Sequence, residues 1–260
     1  MSQLERLSLC EQLGGRISSI FGYSFTWDRR NDPITPTGGF DVQLSQDLAG
    51  IGGDVRYLRT DVRANYYKGL FKDVIASASL SGGYIRGWGD DTVAINDRYF
   101  KGNFEFRGFD NAGIGPRTLT FTTGEPGEDV TEFRGNALGG NAFGLATAEV
   151  SFPLGIDSLL GSLFIEAGTV GLLDEQDQFN VIVDNGGNTN FANGSSCENV
   201  MVVGVVCQRT EDGLVPRVTS GISVFWESPF GPIRFDFTNP IIQQPFDERM
   251  PFQFTTRTRF

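Results

Sequence analysis

The feature that most constrains the fold is an alternation of apolar and polar residues, which recurs in nine separate segments of the chain. A period of two is the pattern of β-strands whose two faces meet different surroundings. In FGYSFTWD, residues 21–28, four aromatic side chains share one face and small or polar side chains share the other. The other eight segments are FDVQLSQDL (40–48), YLRTDVRANY (57–66), DVIASASLSGGY (73–84), NAFGLATAEVSF (141–152), SLFIEAGTV (162–170), RVTSGISVFWE (217–227), PIRFDFT (232–238) and FQFTTRTRF (252–260). Because no long amphipathic helix pattern accompanies them, the sequence predicts an all-β fold.

The chemistry of the two faces favours a membrane barrel over a soluble β-sandwich, which is the alternative. One strand carries Arg59, Asp61 and Arg63 on its polar face, and such charges suit a wet lumen. The apolar face often bears aromatic residues near strand ends, as in the girdles of membrane barrels. Segments of about ten residues also fit a tilted bilayer crossing. We therefore predict a transmembrane antiparallel β-barrel.

The connections between the segments point to the same architecture. Two of them are long, at residues 87–139 and 171–216, and both fall on the same side of the predicted sheet. Short turns on one side and long extracellular loops on the other are typical of outer-membrane barrels. Because single-chain bacterial barrels use even strand numbers, nine strands predict that residues 1–260 are the C-terminal part of a larger barrel.

Composition excludes several functional classes. The chain contains no histidine, which removes His-based acid–base catalysis, the Ser-His-Asp triad and most zinc sites. A formal charge of −11 argues against nucleic acid as a partner. No phosphate-binding glycine loop is present, and the longest apolar run, VMVVGVV at 200–206, is too short for a transmembrane helix. We predict no enzymatic activity, no metal site and no cofactor.

An arginine inside the first long connection poses the question of where its charge goes. Arg107 lies in the glycine-rich stretch NFEFRGFDNAGIGPR, residues 103–117, whose glycines allow the chain to fold back. Glu149 and Glu166 occupy the polar face of two consecutive strands, and a symmetric hairpin would place them opposite each other. Two like charges in that arrangement are destabilising, and a guanidinium between them reverses the sign. We predict an ion cluster of these three residues, the alternative being separately solvated side chains.

The two residues after the arginine complete the predicted site. Gly108 is interpreted as a backbone position that a side chain would obstruct, and Phe109 as an apolar plug against the lumen wall. The cysteines leave two possibilities open. Cys197 and Cys207 lie close together in the second long connection and are either free thiols or a loop disulfide, which would imply an oxidising compartment. We predict the disulfide.

Five stretches together resemble one known family. They are YFKGNFEFRGFDNAGIGPR (99–117), LGGNAFGLATAEVSFPL (138–154), LFIEAGTV (163–170), SGISVFWESPFGPIRFDFTNPI (220–241) and FQFTTRTRF (252–260). In this order and spacing they are similar to the sixth extracellular loop and to strands twelve to sixteen of the BamA family of outer-membrane assembly factors. The resemblance covers residues 20–260 and implies the last nine or so strands of a sixteen-strand barrel. The periplasmic repeat domains and the first seven strands of that family have no counterpart here, and the cysteine pair lies in the loop after strand thirteen.

The resemblance implies a function and a location. The family folds and inserts outer-membrane proteins in the bacterial outer membrane, through a weakly paired seam at the last strand. Its sixth loop lies inside the barrel, where its arginine contacts acidic residues. Implied partners are unfolded outer-membrane proteins, assembly-machinery lipoproteins, outer-membrane lipid and lipopolysaccharide. The edge in this chain is FQFTTRTRF, whose outward aromatic residues are Phe252, Phe254 and Phe260. Alternatives are a related autotransporter-assembly or two-partner secretion barrel, or a passive porin-like channel.

Overall fold

A computed structural model of the 260-residue chain describes residues 15–89, 91–122, 131–156, 158–174, 180–183, 189–191, 206–211, 213–229 and 231–256. The strands, in chain order, are β1 (Ile20–Asp28), β2 (Gly38–Ala49), β3 (Tyr57–Phe71), β4 (Val74–Gly87), β5 (Gly108–Phe109), β6 (Arg117–Thr122), β7 (Thr131–Ala137), β8 (Ala142–Pro153), β9 (Leu159–Gly171), β10 (Asn180–Val183), β11 (Thr189–Phe191), β12 (Val206–Glu211), β13 (Arg217–Ser228), β14 (Gly231–Ile242), β15 (Arg249–Met250) and β16 (Phe252–Thr256). Within these ranges the one helical element is a 3₁₀ turn at Ile95–Asp97. The all-β prediction is confirmed.

Nine strands form one antiparallel sheet in the order β1-β2-β3-β4-β8-β9-β13-β14-β16. Each strand pairs with its neighbour in sequence once β15 and the strands of the two long connections are set aside, which gives an up-and-down meander. All nine segments with period-two alternation correspond to these nine strands. Most neighbouring strands of this sheet pair over nine or more residues. One example is the pairing of β2 with β3, which runs from Gly38↔Lys68 to Ala49↔Tyr57.

The two long connections carry structure that the sequence patterns did not predict. They lie at the same end of the sheet, between β4 and β8 and between β9 and β13. Strands from both connections form a second, five-stranded sheet in the order β11-β10-β12-β6-β7, with β12 pairing β6 from Arg117↔Glu211 to Thr122↔Val206. The first connection also contributes β5, which pairs with β15 in the connection before the last strand.

The faces of the nine-stranded sheet differ in the way the alternation predicts. On the outer face, large apolar side chains are exposed on every strand but β2 and β8. Examples are Phe21, Tyr23, Phe25, Trp27, Leu58, Val62, Tyr66, Leu80, Tyr84, Leu163, Ile165, Ile222, Trp226, Phe237, Phe252 and Phe254. A β-sandwich would bury that face against a second sheet. On the inner face, the first long connection packs against the polar residues of the strands. The buried residues therefore lie between the nine-stranded sheet, which forms the wall, and this connection. In the described ranges, no helix is both long and apolar enough for a bilayer crossing.

Candidate functional site

Backbone geometry brings the Arg-Gly-Phe stretch to the inner face. Gly102 has φ of +144°, and a Cβ there would lie 1.9 Å from the carbonyl oxygen of Asp110, so only glycine fits this turn. The amide of Asn103 donates to the carbonyl of Phe109 (2.8 Å), which closes the loop on itself. Arg107 at its tip is 3% exposed. The loop therefore presents one buried cation to the strands beneath it.

Two carboxylates bind the Arg107 guanidinium and backbone. Nε donates to Glu166 Oε1 at 2.6 Å, and the backbone amide of Arg107 donates to Oε2 of the same carboxylate at 2.8 Å. Nη2 donates to Glu149 Oε2 at 2.9 Å. Ser162 donates to the other oxygen of Glu149 at 2.5 Å, which fixes that carboxylate. Charge-assisted bonds of this kind are about twice as strong as neutral ones.

The remaining sides of the guanidinium meet strands β9, β13 and β14. Nη1 donates to Ser223 Oγ at 3.1 Å and lies 3.7 Å from Asp236 Oδ1. The guanidinium carbon is 3.4 Å from the centroid of the Phe164 ring, a cation–π contact. Arg234 Nε donates to Asp236 Oδ1 at 2.8 Å, so a second cation joins the cluster. Three carboxylates thus face two guanidiniums.

The structure brings Arg107, Glu149 and Glu166 together, but the predicted register between the two glutamates was wrong. Glu166 pairs with Thr147, and Glu149 pairs with Phe164, so the glutamates are offset by two residues. The last pair of this hairpin is Pro153 with Leu160, so the hairpin is centred one residue earlier than a pairing of Glu149 with Glu166 requires. The offset leaves the space above Phe164 in which the guanidinium lies.

Gly108 and Phe109 are both closely surrounded by residues of the nine-stranded sheet. Gly108 has φ of +96°, and a Cβ there would lie 3.0 Å from Thr219 Cγ2 and 3.3 Å from Thr238 Oγ1. The Phe109 side chain is fully buried and shares a cluster with Phe106, Ile114, Leu145 and Val170, the last two being wall residues of β8 and β9. Both residues are buried against the inner face of the sheet, and their roles stay predictions.

A second contact between the loop and the wall was missed by sequence reasoning. Tyr99 OH donates to Asp61 Oδ1 at 2.9 Å, and the Arg59 guanidinium lies 5.1 Å from the Tyr99 ring centroid. Arg59 also donates to the carbonyl of Asp97. Burial raises the pKa of Tyr99, so its hydroxyl stays protonated and remains a donor to the carboxylate. The charges on the polar face of β3 were a signal, since inward-facing charges require partners.

Asp236 and Ser223 were also missed as members of the ion cluster, although both occupy the polar face of a predicted strand.

Of the predicted C-terminal residues, Phe252 and Phe254 are half exposed on the outer face, each packing against an aromatic of β14. Phe260 and Cys197 lie outside the described residues. Cys207 is in β12, where its backbone pairs with Phe121 and Ile182.

Comparison with known proteins identifies the family. The model of the Omp85 superfamily domain matches residues 4–260. The chain belongs to the Omp85 superfamily. The solved structure "The crystal structure of BamA from Haemophilus ducreyi lacking POTRA domains 1-3" matches with a TM-score of 0.65 at 21% identity, over 90% of this chain and 41% of that chain. This likeness confirms the predicted fold, an antiparallel wall of a transmembrane β-barrel.

Curated Omp85 relatives include bacterial and animal proteins. "Outer membrane protein assembly factor BamA" of Neorickettsia risticii (strain Illinois) is 28% identical over 93% of this chain and 27% of its own length. The protein of the same name from Neisseria meningitidis serogroup B is 25% identical over 90% of this chain and 28% of its own length. "Sorting and assembly machinery component 50 homolog" of Bos taurus is 30% identical over 59% of this chain and 30% of its own length. The predicted BamA resemblance is confirmed, and the chain spans about three tenths of the length of these relatives. By their names these homologues are assembly factors and machinery components.

Proposed function

We propose that this chain is the C-terminal part of a barrel that folds and inserts β-barrel proteins in the bacterial outer membrane, and that it is not an enzyme. Its substrates would be unfolded outer-membrane proteins. Its partners would be assembly lipoproteins, outer-membrane lipid and lipopolysaccharide. Residues 87–139 would lie within the lumen, and residues 171–216 would form the second extracellular loop. Support comes from the names of the two bacterial relatives, which align over 93% and 90% of this chain.

The observation that carries the proposal is the position of the last strand. In the described part of the chain, β16 and β1 are the two outermost strands of the nine-stranded sheet, and β16 pairs with β14 from Phe237↔Phe252 to Ile233↔Thr256. An edge strand presents backbone N–H and C=O groups that can template another strand. Phe252 and Phe254 project from the outer face of this edge, where a bilayer would meet them. A substrate strand added here would grow directly into the membrane.

A reconstituted folding assay tests the proposal. The intact protein, with its lipoprotein partners, would be placed in lipid vesicles and given an unfolded outer-membrane β-barrel protein. We expect the substrate to reach its heat-modifiable folded form faster than in vesicles without the protein. Vesicles that gain ion conductance without faster folding would favour a passive channel. Acceleration restricted to autotransporter substrates, or transport of a soluble partner protein, would favour the related secretion barrels.

A further inference from the structure

The connection before the last strand, residues 243–251, lies against the Arg-Gly-Phe loop instead of extending away from the sheet. Its short strand β15 pairs with β5, with Arg249 opposite Phe109 and Met250 opposite Gly108. The pairing continues through the backbone, because the amide of Asp110 donates to the carbonyl of Glu248 (2.8 Å). We refer to residues 243–251 as the last connection.

Further bonds extend this contact on both sides. The amide of Glu248 donates to the carbonyl of Gly113 (2.9 Å), and its carboxylate accepts from Arg117 Nη1 at 2.6 Å. From β16 itself, Gln253 Nε2 donates to the carbonyl of Phe109 at 3.2 Å. Gln253 is buried on the inner face. The loop is therefore bonded both to the last connection and to the last strand.

The last connection is in turn fixed by one fully buried ion pair. Asp247 accepts two bonds from Arg217, at the start of β13, with Nε to Oδ2 and Nη2 to Oδ1 both at 3.0 Å. Their side chains are 0% and 1% exposed. Asp247 Oδ2 also accepts from the amide of Gln244 at 2.7 Å, which shapes the turn, and Arg217 Nη1 donates to the carbonyl of Val215 at 2.8 Å. This pair is separate from the Arg107 cluster and shares no residue with it.

We propose that Asp247 and Arg217 are positioning residues whose ion pair couples docking of the Arg-Gly-Phe loop to the placement of the last strand. Parallel planar contact of a guanidinium with a carboxylate fixes orientation as well as distance, so the pair sets where the last connection lies. β15 of that connection pairs with β5 of the loop, and Gln253 of the last strand donates to the carbonyl of Phe109 in the same β5. Loosening the pair frees both segments together, and by linkage, loosening the loop frees the last strand. The proposal concerns coupling within this chain and stands apart from the assembly activity.

The test is amide hydrogen exchange of the intact protein in lipid nanodiscs, followed in three segments: the loop (103–117), the last strand (252–256) and the reference strand β3. Asp247→Asn keeps the shape of the side chain and its acceptor for Gln244, but leaves Arg217 buried without a counter-charge. We expect exchange to rise on the order of tenfold in both the loop and the last strand while β3 is unchanged. Arg217→Lys keeps the charge without the planar fork, and we expect a smaller rise in the same two segments.

The control is Glu105→Gln, which removes the ion pair of the half-exposed Glu105 carboxylate with Lys101 in the same connection, and it should change none of the three segments. Reciprocity supplies a second arm: Glu149→Gln, which weakens the Arg107 cluster, should raise exchange in the last strand. A rise in 252–256 without a rise in 103–117 would overturn the proposal. A rise that includes β3 would also overturn it, because the pair would then stabilise the whole barrel and not this coupling.

Discussion

At the scale of single residues, the account depends on why position 107 is arginine. One planar guanidinium donates to Glu166, Glu149 and Ser223 on three different strands, a geometry that the compact ammonium of lysine lacks. Burying a cation is costly unless its hydrogen bonds are satisfied. Here the carboxylates and the Phe164 ring surround it, so the cluster selects one docked position for the loop.

Gly108 gives a prediction at the same scale. Gly108→Ala places a Cβ in a left-handed backbone conformation and 3.0 Å from Thr219, so we expect it to destabilise the docked loop by about 1–3 kcal/mol. The measurement is the rate of protease cleavage within residues 103–117 in intact cells. Gly144→Ala is the matched control, since a Cβ there meets nothing within 4 Å and its φ needs no glycine. Equal protection in both variants would show that backbone fit at Gly108 does not hold the loop.

At the scale of strands and loops, the alternation identified the wall because a period of two is a local property of each strand. The register between paired strands is not a local property of either strand. The pairing of Glu149 with Phe164 depends on where the β8–β9 turn begins, and apolar Leu159 could belong to either turn or strand. The strands of the long connections escaped detection because β6 pairs with β12 from the other connection, about ninety residues later in the chain. Gln253 and Asp247 escaped because their partners come from different parts of the sequence.

The second long connection carries a prediction about its cysteines. We expect Cys197 and Cys207 to form a disulfide, contributing about 2–3 kcal/mol through closure of a short loop. Cys207 lies in the five-stranded sheet, so the bond would fix the adjoining segment to it. Mass spectrometry of non-reduced peptides from protein taken from the outer membrane tests this. Both thiols found free in that material would refute the pairing.

The last strand carries another prediction. Phe260 has the same parity as Phe252 and Phe254, which lie on the outer face, and a terminal aromatic is suited to the membrane interface. We expect Phe260→Ala in the intact protein to reduce the amount of folded barrel in cells, because assembly and not final stability depends on this ring. Gln253→Ala, on the inner face, separates the two effects, since it should loosen the loop without lowering the yield. A wild-type amount of heat-modifiable Phe260→Ala protein would contradict the assembly role.

At the scale of the whole molecule, the arrangement reverses that of a soluble protein, since large apolar side chains face outward and charges face inward. Composition and alternation were sufficient to predict this inversion, and the absence of histidine excluded a large class of catalytic sites. In the interior, sequence reasoning singled out Arg107, Glu149 and Glu166, whose three charges needed one another, and the neighbouring Gly108 and Phe109. Tyr99, Asp61 and Arg59 show that the first long connection docks at a second place on the wall. The charges on β3 indicated that partners were needed, but nothing in the sequence identified Tyr99 as one of them.

The central claim is that charge pairing by Arg107 holds the loop inside the barrel, and one measurement tests it most directly. Protease accessibility of residues 103–117 in intact cells would be compared for wild type, Arg107→Glu, and Arg107→Glu combined with Glu149→Gln and Glu166→Gln, alongside complementation of growth. Removing one partner of a buried ion pair costs on the order of 3–5 kcal/mol, and the reversed charge adds repulsion. We therefore expect Arg107→Glu to expose the loop and reduce growth, and the triple variant to recover part of the protection. An Arg107→Glu loop that remains as protected as wild type would contradict the claim and leave packing of Phe109 as the force that holds it.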